Sequence, residues 1–333
     1  MSKLDKDQIN PTKENIAKIL NNNYPINDFD FSVNLKGAHN TSLIIKKKNN
    51  KYAMRVYCQN RRTKDEIRLE VEYINFLLKN GIPVPELIQT NKKSFITETK
   101  IDGKIWFSIL MKFIEGKHPT EFYSKKLLKE LAYAQARMHL LAPIFKSKFS
   151  NLAPLCDTGK KSKDFLFIDL LHINKINLKK IKRRKLVKFL LNSKKLSIKF
   201  RELPVAIIHK DIHAFNILKN KGKLVAILDF DDLFNGPIIT ALSYMLWDIY
   251  VKNNDWNYVG FYIKEYEKIR KILPEEKRIM KDFLSLRNYV MGAVEYLVGG
   301  ENSKGVLMMD MSRYFEIEND IDKLKLEKFY GTV

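Results

Sequence analysis

The sequence predicts an α+β protein in two parts, and three observations carry this. Before residue 113 the chain reads as short strands around a single long helix. Beyond Ser124 it reads as mostly helical. Residues 205–232 hold a strand, a polar run and a second strand. The expected organisation is a small antiparallel β lobe with one long helix over 1–112, and a mostly helical lobe over 113–333.

Each element follows from local chemistry. Pro11 to Asn22 predicts a first helix, with Thr12 as N-cap and Ile16, Ile19 and Leu20 on one face. Strands are expected over 29–36, 41–47 and 51–57, with Asn49-Asn50 as a hairpin turn. Between the first two lies Gly37-Ala38-His39-Asn40, where a backbone with glycine could approach a phosphate closely. Residues 64–80 place Ile67, Val71, Ile74, Leu77 and Leu78 at helical spacing, and Gly81-Ile82-Pro83-Val84-Pro85 ends that helix. Strands near 95–99 and 106–113 follow. Ser124 caps a helix facing a core with Leu127, Leu128, Leu131, Ala134 and Met138. Between Lys175 and Lys199 there are eleven Lys or Arg and no acid, alongside an apolar stripe that predicts a helix with a solvated basic face.

Composition excludes several classes. With 333 residues the chain can bury a sizeable core, and its 45% apolar content is that of a globular protein. Two cysteines, Cys58 and Cys156, give neither a disulfide framework nor a metal cluster. No secretory leader or apolar run of membrane-spanning length is read, so a cytoplasmic protein without membrane contact is expected. The net charge of +22 is spread along the chain with many Asn, which suits a compositional bias better than a nucleic-acid interface.

The chemistry concentrates in Val205 to Asp232, VAIIHKDIHAFNILKNKGKLVAILDFDD. An apolar strand from Val205 to Ile208 leads into His209-Lys210-Asp211-Ile212-His213-Ala214-Phe215-Asn216. A turn at Asn220-Lys221-Gly222-Lys223 returns the chain through Leu224 to Leu228, ending on Asp229-Phe230-Asp231-Asp232. The expectation is one hairpin built from these two strands, which brings Asp211, Asn216 and Asp229 together. Phosphoryl transfer needs a carboxylate for the attacking hydroxyl and hard oxygen ligands for magnesium beside the ATP phosphates. The spacing H-x-D-x-x-x-x-N followed by D-F-x supplies them: Asp211 for the hydroxyl, Asn216 and Asp229 for the metal.

These motifs resemble the H-G-D-x-H-x-x-N and D-F-D patterns of the aminoglycoside phosphotransferase and choline kinase superfamily. The resemblance spans roughly residues 30–300. Arg55-Val56-Tyr57, Arg61-Arg62, Glu66-Ile67-Arg68 and Gly81 to Pro85 are most similar to its homoserine kinase type II and bacterial stress-response kinase branch. The resemblance implies a protein-kinase-like fold and transfer of the ATP γ-phosphate to a hydroxyl. It places Arg55 on the nucleotide phosphates, with Glu70 (or else Glu72) orienting it, and Gly37 in the phosphate loop. Backbone groups near Lys112 and Phe113 would meet adenine, and His213, Asp231 and Arg287 would serve the acceptor. The chain departs from the family at Lys210, where glycine is usual, and at Ala241, where an Asp usually braces the catalytic loop.

The leading expectation is a small-molecule kinase acting on a homoserine-like hydroxyl amine rather than an aminoglycoside. An ammonium there would be met by Asp248, the one acid between Leu233 and Val251. A Ser/Thr protein kinase of the stress-response type comes second, and a nucleotide-binding pseudokinase third.

Overall fold

The structure, a computed structural model, describes residues 9–34, 40–59, 61–153, 203–299 and 311–330. Gly37 and the basic stretch of residues 175–199 lie outside them. The chain forms two compact units. One comprises Met1–Gly116 with Lys146–Leu152 and Val225–Asp231. The other comprises Lys117–Phe145, Ala153–Leu224 and Asp232–Val333.

In the first unit, helix α1 (Lys13–Asn23) starts at Thr12, whose hydroxyl accepts from the Asn15 N–H. The strands are β1 (Asp30–Asn34), β2 (Thr41–Lys47), β3 (Asn50–Val56), β4 (Leu87–Ile88), β5 (Ile96–Ile101) and β6 (Lys104–Lys112). They form one antiparallel sheet in the order β1-β2-β3-β6-β4, with β5 also pairing on β6. The β2–β3 turn falls one residue earlier than expected. Lys48 takes the left-handed φ of 51°, and Asn50 already pairs with Lys47.

Strand period two decides what β3 shows to each side. Met54 and Val56 enter a core with Ile16, Ile19, Leu20, Tyr24, Leu43, Ile45 and Leu110, so Arg55 faces the other way, and so does Tyr57. Helix α2 (Lys64–Lys79) opens on a capping box, with Thr63 and Glu66 exchanging bonds, a device that stabilises a helix by about 1 kcal/mol. Its buried face carries Ile67, Glu70, Val71, Ile74 and Leu77. Glu70 is therefore placed inside by the same spacing that buries Ile67 and Ile74.

The second unit contains α3 (Lys125–Leu141), β7 (Val205–His209), β8 (Ile217–Asn220), β10 (Leu233–Pro237), α4 (Ile238–Asn253), α5 (Trp256–Glu267), α6 (Pro274–Gly299) and α7 (Met311–Lys323). Strand β9 (Lys223–Ile227) lies between β8 and β10 in the chain. All residues of α4 from Ile238 to Tyr250 are buried, as a helix apolar on every side must be. Helices α5 and α6 and strands β7 and β10 pack on it. Among the described residues no helix is long and apolar enough to cross a membrane.

The single-hairpin expectation for 205–228 is corrected. Strand β7 pairs antiparallel with β10, Val205 opposite Pro237 and His209 opposite Leu233. Strand β9 pairs with the short β8 instead. The reason is the turn: Lys221 and Gly222 both take positive φ, 48° and 74°, which makes a tight two-residue hairpin and selects the adjacent Ile217–Asn220 as partner. Within β10 the Phe234 ring stands over position 236, which lacks a side chain. A Cβ on Gly236 would stand 2.0 Å from the Phe234 ring.

Candidate active site

On the first unit the functional groups converge on Arg55. Its Nη1 donates to Glu70 Oε1 at 3.2 Å and its Nη2 pairs with Asp229 Oδ1 at 2.7 Å. The second Glu70 oxygen accepts from the Tyr57 hydroxyl at 2.8 Å. Glu72 takes no part in this network among the described contacts. Burial lifts the Glu70 carboxyl to about 7. Arg55 opposes this, but Asp231 and Asp229 add to it. Arg55 is shared, and it sits closer to Asp229 than to Glu70.

Asp229 holds a left-handed φ of 68°, a conformation that costs a non-glycine residue roughly 1–3 kcal/mol and gathers at functional positions. Its carboxyl lies within hydrogen-bonding reach of Asp231. Burial raises Asp231, yet Arg55, Asp229, Arg62 and Arg61 together hold it below the ordinary carboxylate range. Asn40 fixes Asp231 from the other side. Its amide donates to Asp231 Oδ2 at 2.7 Å and accepts from the Cys58 N–H at 3.1 Å. Sequence reasoning missed Asn40 and Tyr57. For Tyr57 the signal was available, since it is two residues beyond Arg55 on the same side of the strand.

At Lys112 and Phe113 the backbone N–H groups are already engaged. The Lys112 N–H donates to Glu86 O at 2.9 Å and the Phe113 N–H to Lys51 O at 3.4 Å, while the Lys112 ammonium pairs with Glu86. Both N–H groups extend the sheet, so neither is a donor left for a base. A nucleobase there would have to use carbonyls, or N–H groups beyond Phe113.

On the second unit the loop after β7 closes into a short helical turn over Ala214–Asn216. His213 Nδ1 accepts from the Phe215 N–H at 3.3 Å, and its Nε2 lies 3.3 Å from Asp211 Oδ2 and 3.1 Å from the Asn216 side-chain nitrogen. Burial lowers the proton affinity of His213, but the bond and field of Asp211 prevail and raise it. Asn216 donates its side-chain N–H to Asp211 O at 2.9 Å, which leaves the amide oxygen as the ligand-type atom. Arg287, on α6, donates Nη2 to Asp211 Oδ1 at 2.8 Å. Burial pushes the Asp211 carboxyl up, but Arg287 and His213 outweigh it and hold the group far below the carboxylate range.

Three residues singled out in the sequence gain partners here. Arg287 is bound to Asp211, a contact the sequence did not show. Asp248, expected to meet an ammonium, is buried on α4, where it accepts from the Ala214 N–H at 3.0 Å and from the Tyr123 hydroxyl. A single acid inside an otherwise apolar helix was the available signal for such an internal bond. Asp248 thus braces the loop that Ala241 cannot; Ala241 offers only its carbonyl, to Gln135. The Lys210 ammonium lies 4.8 Å from the centroid of the Phe234 ring, a cation–π contact.

The model of the APH phosphotransferase enzyme family matches residues 30–279, well over half of the chain. The chain belongs to that family. It is accordingly an enzyme, a kinase with an alcohol group as acceptor, and it has the family's α+β protein-kinase-like fold. No curated protein matches its sequence. Among solved structures it is similar to the amicoumacin kinase hAmiN in complex with AMP-PNP, Ca2+ and Ami, at 15% identity and TM-score 0.67, covering 93% of this chain and 92% of that one. It is also similar to a microcompartment-associated aminopropanol kinase (13% identity, TM-score 0.63, 93% and 95% covered). A third is the spectinomycin phosphotransferase APH(9)-Ia in complex with ADP and its antibiotic (18% identity, TM-score 0.61, 93% and 95% covered). At these identities the likeness concerns the family fold.

Proposed function

We propose that this protein moves the γ-phosphate of ATP, with magnesium, to the hydroxyl of a small molecule of the homoserine-like hydroxyl-amine class. The observation that carries the reading is Asp211. In a chain of this family it is an ionised carboxylate, held between Arg287 and His213 in the turn that also presents Asn216. The acceptor oxygen forms its bond to the γ-phosphorus as the bridging bond to ADP breaks, and its proton is directed at Asp211. Arg55 is the phosphate-binding cation, whose planar fork suits paired phosphate oxygens, and Glu70 with Tyr57 fixes its approach.

By residue type the proposed donors suit a hard divalent cation. Asp229 and Asp231 form a close carboxylate pair, with Arg55 as the guanidinium they share, and the Asn216 amide presents oxygen. We assign the metal ligands to Asp229 and Asn216. Magnesium, when bound, neutralises charge on the phosphates. Gly37 is retained as the phosphate-loop glycine of this proposal.

Two features that favoured a pseudokinase lose their force. Lys210 stacks on Phe234, and Asp248 supplies a loop brace in place of the missing Asp at Ala241. The cations around Asp211 disfavour a polycationic acceptor. The test is coupled ADP release, with and without magnesium, over homoserine, choline, aminopropanol, kanamycin, spectinomycin and a disordered Ser/Thr-rich protein. Magnesium-dependent stimulation by homoserine or its relatives is expected. Stimulation by kanamycin alone defeats the acceptor assignment, and stimulation by the protein alone makes this a protein kinase.

A further inference from the structure

Polar contacts in the first unit close into a circuit around Asp229 and Asp231. Asp229 Oδ1 pairs with Arg55 Nη2 at 2.7 Å, and Arg55 Nη1 donates to Glu70 at 3.2 Å. Glu70 accepts from the Tyr57 hydroxyl at 2.8 Å, and Cys58 follows Tyr57 in the chain just beyond β3. The Cys58 N–H donates to Asn40 Oδ1 at 3.1 Å, and Asn40 Nδ2 donates to Asp231 Oδ2 at 2.7 Å. Asp231 meets Asp229 again through their carboxyls. Asn40 is buried, and its two partners fix which way its amide points. A backbone N–H can only donate and a carboxylate can only accept, so oxygen faces Cys58 and nitrogen faces Asp231.

We infer that Asn40 is a positioning residue of the metal–nucleotide site, which holds the Asp229-Phe230-Asp231 motif in register with the end of β3. The inference rests on the kinase reading above. Two ties join that strand to the motif, and they differ in kind. The first is the ion pair of Arg55 with Asp229. In the kinase reading Arg55 turns to phosphate oxygens and Asp229 to the cation, so a bond between them competes with both tasks. The second tie, through Asn40, competes with neither. Phe230 also anchors the motif, buried with its ring 6.1 Å from that of Tyr73 on α2. Such apolar contact is non-directional. The amide of Asn40 supplies the direction, because it is bonded at both ends and cannot turn without losing one of them.

The test reads nucleotide binding rather than turnover. Calorimetric titration with ADP, once with magnesium and once with a chelator, gives the factor by which magnesium tightens ADP. Asn40→Ala and Asn40→Ser should each reduce that factor by about tenfold, the order expected when a group that orients a metal site is lost. Affinity for ADP without magnesium should change little. A factor equal to that of wild type in both variants, with only Tm lowered, would make Asn40 a contact of the fold and overturn the inference. A thermal cycle tests the bond itself. Asn40→Asp sets a third carboxylate against Asp231 and Asp229 and should lower Tm. Adding Asp231→Asn exchanges the two groups, restores one donor and one acceptor, and should regain much of that loss. Additive Tm losses would overturn the pairing. A wild type whose ADP affinity ignores magnesium would sink the kinase reading and the inference with it, whereas failure of the Asn40 variants on a magnesium-dependent wild type leaves that reading standing.

Discussion

Around Arg55 a single guanidinium serves two carboxylates, Glu70 and Asp229, with Asp231 beside them. Around Asp211 the ratio is inverted: a single carboxylate is served by a guanidinium and an imidazole. The same residue types, arranged with opposite excess, suit opposite tasks. A surplus of carboxylate is stable only with a further cation or a bound proton, and the raised Glu70 carboxyl shows the proton alternative. A surplus of cation keeps its carboxylate charged at every ordinary pH. The first arrangement suits a metal–nucleotide complex, and the second suits a neutral hydroxyl presented to a phosphate.

The sharpest way to break this contrast is at Asp211. Asp211→Asn keeps the shape but removes the charge, and it should reduce kcat by about 10²–10⁴-fold with ATP affinity little changed. A turnover assay paired with nucleotide titration checks both, and a near-wild-type kcat would remove Asp211 from the chemistry. The next largest effect is expected at Arg55. Arg55→Ala should raise KM for ATP by roughly 10–100-fold, the order of a charge-assisted pair of bonds, with Arg55→Lys recovering only part. Glu70→Ala should weaken ATP more than Glu72→Ala does. Equal effects would show that the Arg55–Glu70 contact is of no consequence for the nucleotide.

The smallest effect is one of stability. The folded protein holds the Glu70 proton up to about 7, above the value of a free glutamate. The contribution of this group is therefore complete below the unfolded value and is lost as pH rises toward 7. Glu70→Gln cannot titrate. Its Tm should approach and then exceed that of wild type as pH increases through this window. A Tm difference that stays constant from pH 4 to 8 (about the span that matters) would show that Glu70 is charged throughout.

How much of this was legible in the sequence depends on whether local period decided it. Arg55 on its strand and Glu70 on its helix follow from spacings of two and of three to four, because the neighbouring apolar residues fix which way each side chain points. The strand partners of 205–237 were not legible. Apolar runs say that strands exist, whereas pairing was decided by the Lys221-Gly222 turn and by a β10 strand that reads as loop because it contains Asn235-Gly236-Pro237. Arg287 and Asp248 were visible as charges in unusual places, but their partners, Asp211 and Ala214, are distant in sequence.

The Lys210 contact bears on how such a loop diverges. The ammonium rests on Phe234, a side chain of the strand that pairs with β7. A lineage that began with glycine at this position could accept a cation without remaking the loop, provided an aromatic ring already stood opposite. The shortest codon routes from glycine to lysine pass through arginine or glutamate, and only arginine would find the same resting place. Ancestral forms with arginine at 210 should therefore be viable and those with glutamate should not, and Phe234 should precede the lysine in any reconstructed history.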